Sequence, residues 1–448
     1  MKKFLLFQST LFLLVTASVV SCKKTDNTIN GSNNNYSAPL FSESSGWKQI
    51  AIVNSSQTLG SANWMTPLDL NIVNNNAQVV YYTDNNYKLI SYLKASYGLS
   101  GGTDTKITPL DKLYSVQDNF NLSHDISFGN VFFHPETYNI ESLSYPYYQG
   151  QVVFIKLHDE VGKELTSQIS SNFADLGETT KMYPNGDILA GGIYSTSVIE
   201  FSYYTRATNT WNRIGETALD TSYNIAYTPF KIDDGSLLAF RLFSKNKTKQ
   251  AFLSISDFIK TPTAPYKARF VEEHLEYAPT NIIYNQFSPD VIEFASEVKI
   301  VNYATEGNSF TVVLKEQNNK TKAYTLSAYK WTKGNTGFQK LYTNIPISKI
   351  LGDNLNRRDL VLCAINGTVS VIVKEGISGN DLTYSLATCN AEGEKRLGAA
   401  KNNTYNRAVP TLSCLRFING SYYAVASPFL FSDANAEGQH MDIVKLTQ

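Results

Sequence analysis

One pattern recurs along this chain and limits what it can become: an apolar run, a tight-turn dipeptide, and a second apolar run. The clearest copy reads Asp359-Leu-Val-Leu-Cys-Ala-Ile, then Asn366-Gly367, then Thr368-Val-Ser-Val-Ile-Val-Lys. Asn-Gly between two strand-forming runs specifies a β-hairpin, because both residues accept the positive φ angles of a type I′ turn. Equivalent hairpins are expected at Asn75-Asn76, Asn185-Gly186, Asp234-Gly235, Glu306-Gly307 and Asn419-Gly420.

A third and a fourth strand are expected after each hairpin. The third strands read KLISYLKA (88–95), VVFIKLHD (152–159), VIEFSYYT (198–205), AFLSISDF (251–258), AYTLSAYKW (323–331), DLTYSLAT (381–388) and MDIVKLTQ (441–448). The fourth read TKITPL (105–110), ELTSQI (164–169), WNRIGE (211–216), ARFVEE (268–273), GFQKLY (337–342) and EKRLG (394–398). Four antiparallel strands every roughly 45 to 70 residues is the spacing of β-propeller blades. The third strands predict a seven-bladed, all-β propeller, with six or eight blades, or β-sandwich domains, as the alternatives. In the second repeat the run Asp125–Phe133 has to serve for both early strands. The last repeat ends on its third strand, whereas Trp47-Lys-Gln-Ile-Ala-Ile-Val stands alone ahead of the first. Pairing the two would close the ring and hide its exposed edges, so residues near Trp47 are expected beside residues near Ile443.

Gly191-Gly192, Tyr203-Tyr204 and Trp211 resemble a kelch repeat, which implies a propeller and no particular ligand. The Gly-His/Trp-Asp pairing of WD40 blades is absent, and Ser42–Trp47 is at best a remnant of a sialidase Asp-box.

The first residues carry a different message. Lys2 and Lys3 precede a largely apolar run, Phe4 to Val20, of signal-peptide length. Val19-Val20-Ser21-Cys22 resembles the lipobox of bacterial lipoproteins. The resemblance implies lipidation of Cys22, cleavage before it, and anchoring to a membrane by acyl chains. Lys23 is not the Asp that often retains lipoproteins at an inner membrane, so attachment at the outer membrane of the cell envelope is expected, on either side. Residues 1–21 read as signal peptide, the polar, Asn-rich stretch 22–45 as a flexible tether, and 46–448 as the propeller.

The 39 basic and 39 acidic side chains cancel, and no Lys/Arg block offers phosphate attraction, so nucleic acid is not an expected partner. No cofactor is expected. After Cys22 the cysteines are Cys363, Cys389 and Cys414, an odd set without CxxC spacing. One disulfide or buried thiols are both open, and a zinc site is rejected.

In a propeller the second-to-third connections and the links between blades share one face. Four long segments are assigned there: His134–Gly150, His274–Glu297, Ile345–Arg358 and Pro428–Gln439. Their aromatic side chains, Tyr138, Tyr145, Tyr147, Tyr148, Tyr277, Tyr284, Phe287, Phe429 and Phe431, are the candidate ligand-binding residues, because aromatic faces stack on sugar rings or grip peptides. The expected function is binding of a glycan, a peptide or an envelope protein rather than catalysis. A carbohydrate-active enzyme and a structural subunit of an envelope complex are the rival readings. Carboxylate pairing for glycoside hydrolysis would draw on Glu136, Glu141, Glu272, Glu273, Asp290 or Glu293, while Asp233-Asp234 reads as turn chemistry. The catalytic residues are otherwise unknown. His124, His134, His274 and His440 fall near one predicted face, but without HxH or HExxH spacing no metal site is assigned.

Overall fold

A computed structural model shows how these runs pair. It describes residues 46–54, 64–73, 76–84, 90–98, 106–109, 131–134, 137, 139–144, 147–148, 151–152, 154–159, 163–169, 175–176, 181–183, 185–195, 198–218, 224–245, 250–260, 268–270, 290–293, 297–335, 337–355, 359–378, 381–401, 409–429 and 440–447. The strands form antiparallel sheets whose order follows the chain. The first sheet contains Trp64–Val73, Asn76–Asp84, Ile90–Gly98 and Lys106–Pro109. The second contains Val131–Phe133, Ile140–Ser144, Phe154–His158 and Glu164–Ile169. In the third, Asp175–Leu176 and Lys181–Met182 share the inner position beside Ile188–Ser195, followed by Val198–Thr205 and Thr210–Ala218. The fourth begins Asn224–Lys231, Leu237–Lys245, Gln250–Lys260. The fifth is Glu297–Glu306, Ser309–Gln317, Tyr324–Thr332 and Gln339–Ile347, and the sixth is Val361–Leu362, Val369–Ser378, Asp381–Asn390 and Gly393–Lys401.

The seventh sheet joins the two ends of the chain. Val409–Ile418, Ser421–Phe429 and His440–Leu446 are completed by Trp47–Asn54. Trp47 pairs with Leu446 and Ala51 with Ile443, the neighbourhood expected from the sequence. Beyond the strands, Thr447 N–H donates to Gly46 O at 2.8 Å. Trp47 is 1% exposed, wedged among Ile372, Leu386 and Leu446 between the sixth and seventh sheets.

The core is not one mass but a set of clusters, each between two consecutive sheets. Leu143 and Leu157 meet Ile188 and Tyr204 between the second and third. Between the fourth and fifth, Phe230 stacks on Phe310 with ring centroids 4.1 Å apart, and Phe240 lies tilted against it at 4.9 Å. Val313 and Leu326 meet Val369 and Val371 between the fifth and sixth. Leu70, Val79 and Tyr81 of the first sheet pack on Val425, Met441 and Ile443 of the seventh. Sheets that bury their faces against chain neighbours, with the last returning to the first, form a propeller. The all-β propeller fold with antiparallel blades follows from this order.

Position within a sheet explains composition. Ser309–Gln317 is buried on both faces over Phe310–Glu316, which is why Thr311-Val-Val-Leu314 reads as a continuous apolar run. Gln339–Ile347, at the sheet's edge, is mostly exposed and correspondingly polar.

The turns are where sequence expectation and structure part. Asn419 and Gly420 both have positive φ (48° and 75°), as a type I′ turn requires. At Asn185-Gly186, Asp234-Gly235 and Asn366-Gly367 only the glycine does. There the preceding Asn or Asp side chain accepts from the backbone N–H two residues on: Asp187 to Asn185 at 3.1 Å, Ser236 to Asp234 at 2.8 Å, Thr368 to Asn366 at 3.0 Å. These are longer turns built on an Asx bond, with Tyr183 N–H reaching Asp187 O and Ile232 N–H reaching Ser236 O. Gly367 is needed twice over. Its φ is 71°, and a Cβ there would stand 2.7 Å from Ala328 Cβ of the fifth sheet.

Three segments differ from their expected form. In the second sheet the early strands are Val131–Phe133 and Ile140–Ser144, so residues 134–139 are the hairpin between them and not a long connection. The segment Ile345–Arg358 holds a helix, Lys349–Asn354, whose N-cap Ser348 accepts from Leu351 N–H; Leu351 and Leu355 bury against the fifth and sixth sheets. The outer strand of the fourth sheet is split. Ala268–Phe270 pairs with Phe258–Lys260 and Asp290–Glu293 with Gln250–Leu253, so residues 271–289 interrupt a strand rather than link two blades. The cysteines Cys363, Cys389 and Cys414 are free thiols. Burial pushes Cys389 and Cys414 up to about 12, so both stay protonated.

Candidate functional site

Each sheet is a meander, so its ends differ. At one end lie the turns joining first to second and third to fourth strands, here the hairpin face. At the other lie the second-to-third connections and the links to the next sheet, here the connection face. Side-chain bonds at the hairpin ends tie consecutive sheets. Arg206, in the short 3₁₀ turn Arg206–Thr208 of the third sheet, grips Glu141 of the second through Nη1 at 3.0 Å and Nη2 at 2.5 Å. Lys231 of the fourth sheet donates to Asp187 of the third at 2.7 Å. Asp234 of the fourth pairs with Lys333 of the fifth at 2.5 Å. Thr311 of the fifth donates to Ala364 O of the sixth at 2.6 Å, and Ser370 of the sixth bonds Tyr422 of the seventh at 2.8 Å. Arg416 of the seventh pairs with Asp69 of the first.

Asp187 is the densest node. It is 3% exposed. Its Oδ2 accepts from Tyr203 Oη at 2.5 Å, Lys231 Nζ at 2.7 Å and Asn185 Nδ2 at 2.8 Å, and its Oδ1 from Arg206 N–H at 2.8 Å. Burial pushes the carboxyl up, but the hydrogen bonds from Lys231, Tyr203, Arg206 and Asn185 outweigh it and hold Asp187 below the usual carboxylate range. Burial, reinforced by Asp187, pushes Tyr203 far up, so it remains a phenol donor. For Arg206, burial works against the charge, and Glu141 more than restores it. Both Glu141 oxygens are taken by the guanidinium, so the sequence candidate for an acid is a structural partner. Asp234, with Lys333 and Ser236 as its donors, falls to about 2. This network binds the ring together; nothing in it presents a free acid or nucleophile.

The remaining candidates separate. Tyr147 and Tyr148 are strand residues, paired with Val152 and Gln151 in a small hairpin between the second and third strands of the second sheet. Two tyrosines facing a Gln-Val pair have strong strand preference, which the loop expectation underweighted. Phe429 closes a strand of the seventh sheet, opposite Val409. Asp290 and Glu293 lie in the split outer strand. Tyr138, Tyr145, Tyr277, Tyr284, Phe287, Phe431, Glu136, Glu272, Glu273, His124 and His274 lie outside the described residues, as does Cys22. By chain position Tyr145, Tyr147 and Tyr148 belong to the connection of the second sheet, Phe431 to that of the seventh, and Tyr277, Tyr284 and Phe287 to the interruption of an outer strand. His134 follows the inner strand of the second sheet on the hairpin face, and His440 opens a strand at the connection face, so the two do not share a face as expected. Among the described residues no three His, Cys, Asp or Glu side chains gather as metal ligands, and no helix is long and apolar enough to cross a membrane.

The Asp187 node was not singled out from sequence. Its only local sign was Asn185-Gly-Asp187, which reads as turn chemistry; its other partners stand 16 to 44 positions away.

No protein-family model matches the chain, and no curated protein does. Solved structures do resemble it. The β-propeller domain of the Trilobed protease from Pyrococcus furiosus is 8% identical, with a TM-score of 0.42 over 86% of this chain and 95% of that one. Saccharomyces cerevisiae Sqt1 is 9% identical, TM-score 0.38, over 89% and 99%. Penicillium chrysogenum alpha-L-arabinanase, complexed with arabinobiose, is 11% identical, TM-score 0.30, over 90% and 98%. Scores of this size decide nothing about function, and the propeller rests on strand order and end-to-end closure.

Proposed function

We propose that this chain is an outer-membrane lipoprotein carrying a seven-bladed propeller, and that its connection face binds a glycan, a peptide or an envelope protein. One observation carries the reading. The strand Trp47–Asn54 starts at the hairpin face, where Gly46 meets Thr447, at the end of the sheets opposite the connections. With the described chain entering at the hairpin face, the connection face is left clear for a ligand. That face carries the Tyr147–Val152 hairpin, a tyrosine pair with both apolar bodies and polar tips. The kelch likeness belongs to one blade, where Tyr204 pairs with Trp211 across strands at a ring distance of 5.2 Å, and it adds no ligand.

The test has two parts. Labelled palmitate is expected to enter the protein and to be lost in Cys22→Ala. On a glycan and peptide array the double substitution Tyr147→Ala, Tyr148→Ala is expected to abolish binding while the melting temperature holds. Binding that survives the double substitution rejects the connection-face site. The carbohydrate-enzyme alternative requires a carboxylic acid free to protonate a leaving group; of its candidates Glu141 is committed to Arg206, and the side chains of the others lie outside the described residues.

A further inference from the structure

Among the described residues three large hydrophobic side chains remain exposed: Ile350 at 37%, Ile365 at 63% and Phe417 at 46%. Two of them share the hairpin face and sit on neighbouring hairpins. Ile365 is in the turn of the sixth sheet, just ahead of Asn366-Gly367. Phe417 stands one residue before the Asn419-Gly420 turn of the seventh, with Ile418 between. The Phe417 ring lies tilted against Tyr422 with centroids 4.6 Å apart, and the Tyr422 hydroxyl bonds Ser370 of the sixth sheet at 2.8 Å. The two hairpins are thus held side by side with their apolar side chains outward. Exposed apolar pairs on a fixed scaffold mark contact surfaces more often than isolated ones do.

What covers them follows from the same sheet. Phe417, Tyr422, Lys445 and Lys48 occupy its four strands at the hairpin end, and Gly46 adjoins Lys48 through Trp47. At about 4.8 Å per strand, the point where the chain departs toward Cys22 stands roughly 15 Å from Phe417. Lys48 is exposed, and its cross-strand partner is Lys445, whose ammonium lies over the Tyr423 ring at 5.6 Å, so two cationic side chains neighbour each other in the row next to that of Phe417. Adjacent lysines repel within a protein surface and are relieved by an anionic counterpart. The chain between Cys22 and Gly46 spans at most about 80 Å when fully extended. That reach alone lets either face of the ring meet a membrane, so the orientation has to come from the surface itself.

We propose that the hairpin face around Ile365 and Phe417 is a bilayer footprint: the two side chains enter the interface of the membrane that holds the anchor, and Lys48 and Lys445 meet its anionic headgroups. This rests on the lipid-anchor reading above. The ring then stands with its connection face outward as a fixed posture rather than one of many.

The experiment uses the full-length acylated protein in vesicles of phosphatidylethanolamine and phosphatidylglycerol containing brominated lipid. Ile365→Trp supplies a fluorescent reporter at the footprint, and Ile350→Trp, on the helix at the connection face, supplies the control. The emission added by Ile365→Trp is expected to be lost to bromine quenching and that of Ile350→Trp to persist. Adding Phe417→Asp, or replacing phosphatidylglycerol by phosphatidylcholine, is expected to restore the lost emission. An acylated protein whose Ile365→Trp emission is no more quenched than the control overturns the footprint and leaves the anchor standing. If Phe417→Asp instead converts a dimer to a monomer in detergent, the occupant is a second copy and the footprint is wrong. Absence of acyl label overturns anchor and footprint together.

Discussion

Asp187 shows how a carboxylate can be structural where a sequence reading looks for chemistry. It is buried, carries four donors, and links the third sheet to the fourth through Lys231. Removing it leaves the Arg206 N–H without its acceptor and half-buried Lys231 without its carboxylate, so Asp187→Ala is expected to cost about 3 kcal/mol by denaturant titration at neutral pH. The pH dependence has a definite sign. The folded carboxyl is held below its unfolded value of about 3.9, so its contribution is complete well above that value and is lost as pH falls through the folded value. Wild type and Asp187→Ala are therefore expected to converge in stability on acidification below about pH 4. A stability gap that is constant from neutrality to acid would contradict the ionised, donor-saturated state of the node.

At the level of elements, much of the fold was written in short-range pattern. Val198–Thr205 and Glu164–Ile169 match their expected limits residue for residue, because apolar alternation bounded by polar turns leaves few registers open. Failures cluster where information is long-range. Nothing local distinguishes residues 271–289 as an interruption within a strand, since that is decided by Asp290–Glu293 returning to Gln250–Leu253. The second repeat was misread because Val131–Phe133 is only three residues long and offers almost no period to detect. The candidate site was less legible still, because which loops share a face depends on these assignments. The closing strand was readable as an orphan needing a partner. Trp47→Ala is expected to lower stability by about 3–5 kcal/mol, as burial of a whole indole between two sheets implies. Deleting residues 441–448 strips Trp47–Asn54 of its partner and is expected to abolish the cooperative melt. An unchanged melting temperature in either variant is incompatible with the closure.

Over the whole molecule, every described cluster belongs to two sheets at once, so no sheet owns a core it could keep alone. Repeat architectures that do not close can fray from their ends, since each unit touches only its neighbours. Here the chain ends are paired inside the seventh sheet, and the hydrogen bond from Thr447 to Gly46 leaves them in contact. The location of the ends is then incidental to the architecture. A circular permutant that joins the C-terminus to Gly46 by a short linker and opens the chain at Glu392-Gly393 moves the seam from the seventh sheet to the sixth. That turn suits the purpose: Glu392 is exposed, and the space a Cβ would occupy at Gly393 is open. The permutant is expected to keep the far-ultraviolet dichroism of the parent, and both are expected to melt in one calorimetric transition. Placing Trp47→Ala in both backgrounds sharpens the test. In the parent that substitution weakens the non-covalent seam of the seventh sheet, whereas in the permutant the same strand is held covalently, so the loss in melting temperature is expected to be smaller. Equal losses would mean that the contact between the two ends contributes packing but does not hold the ring shut.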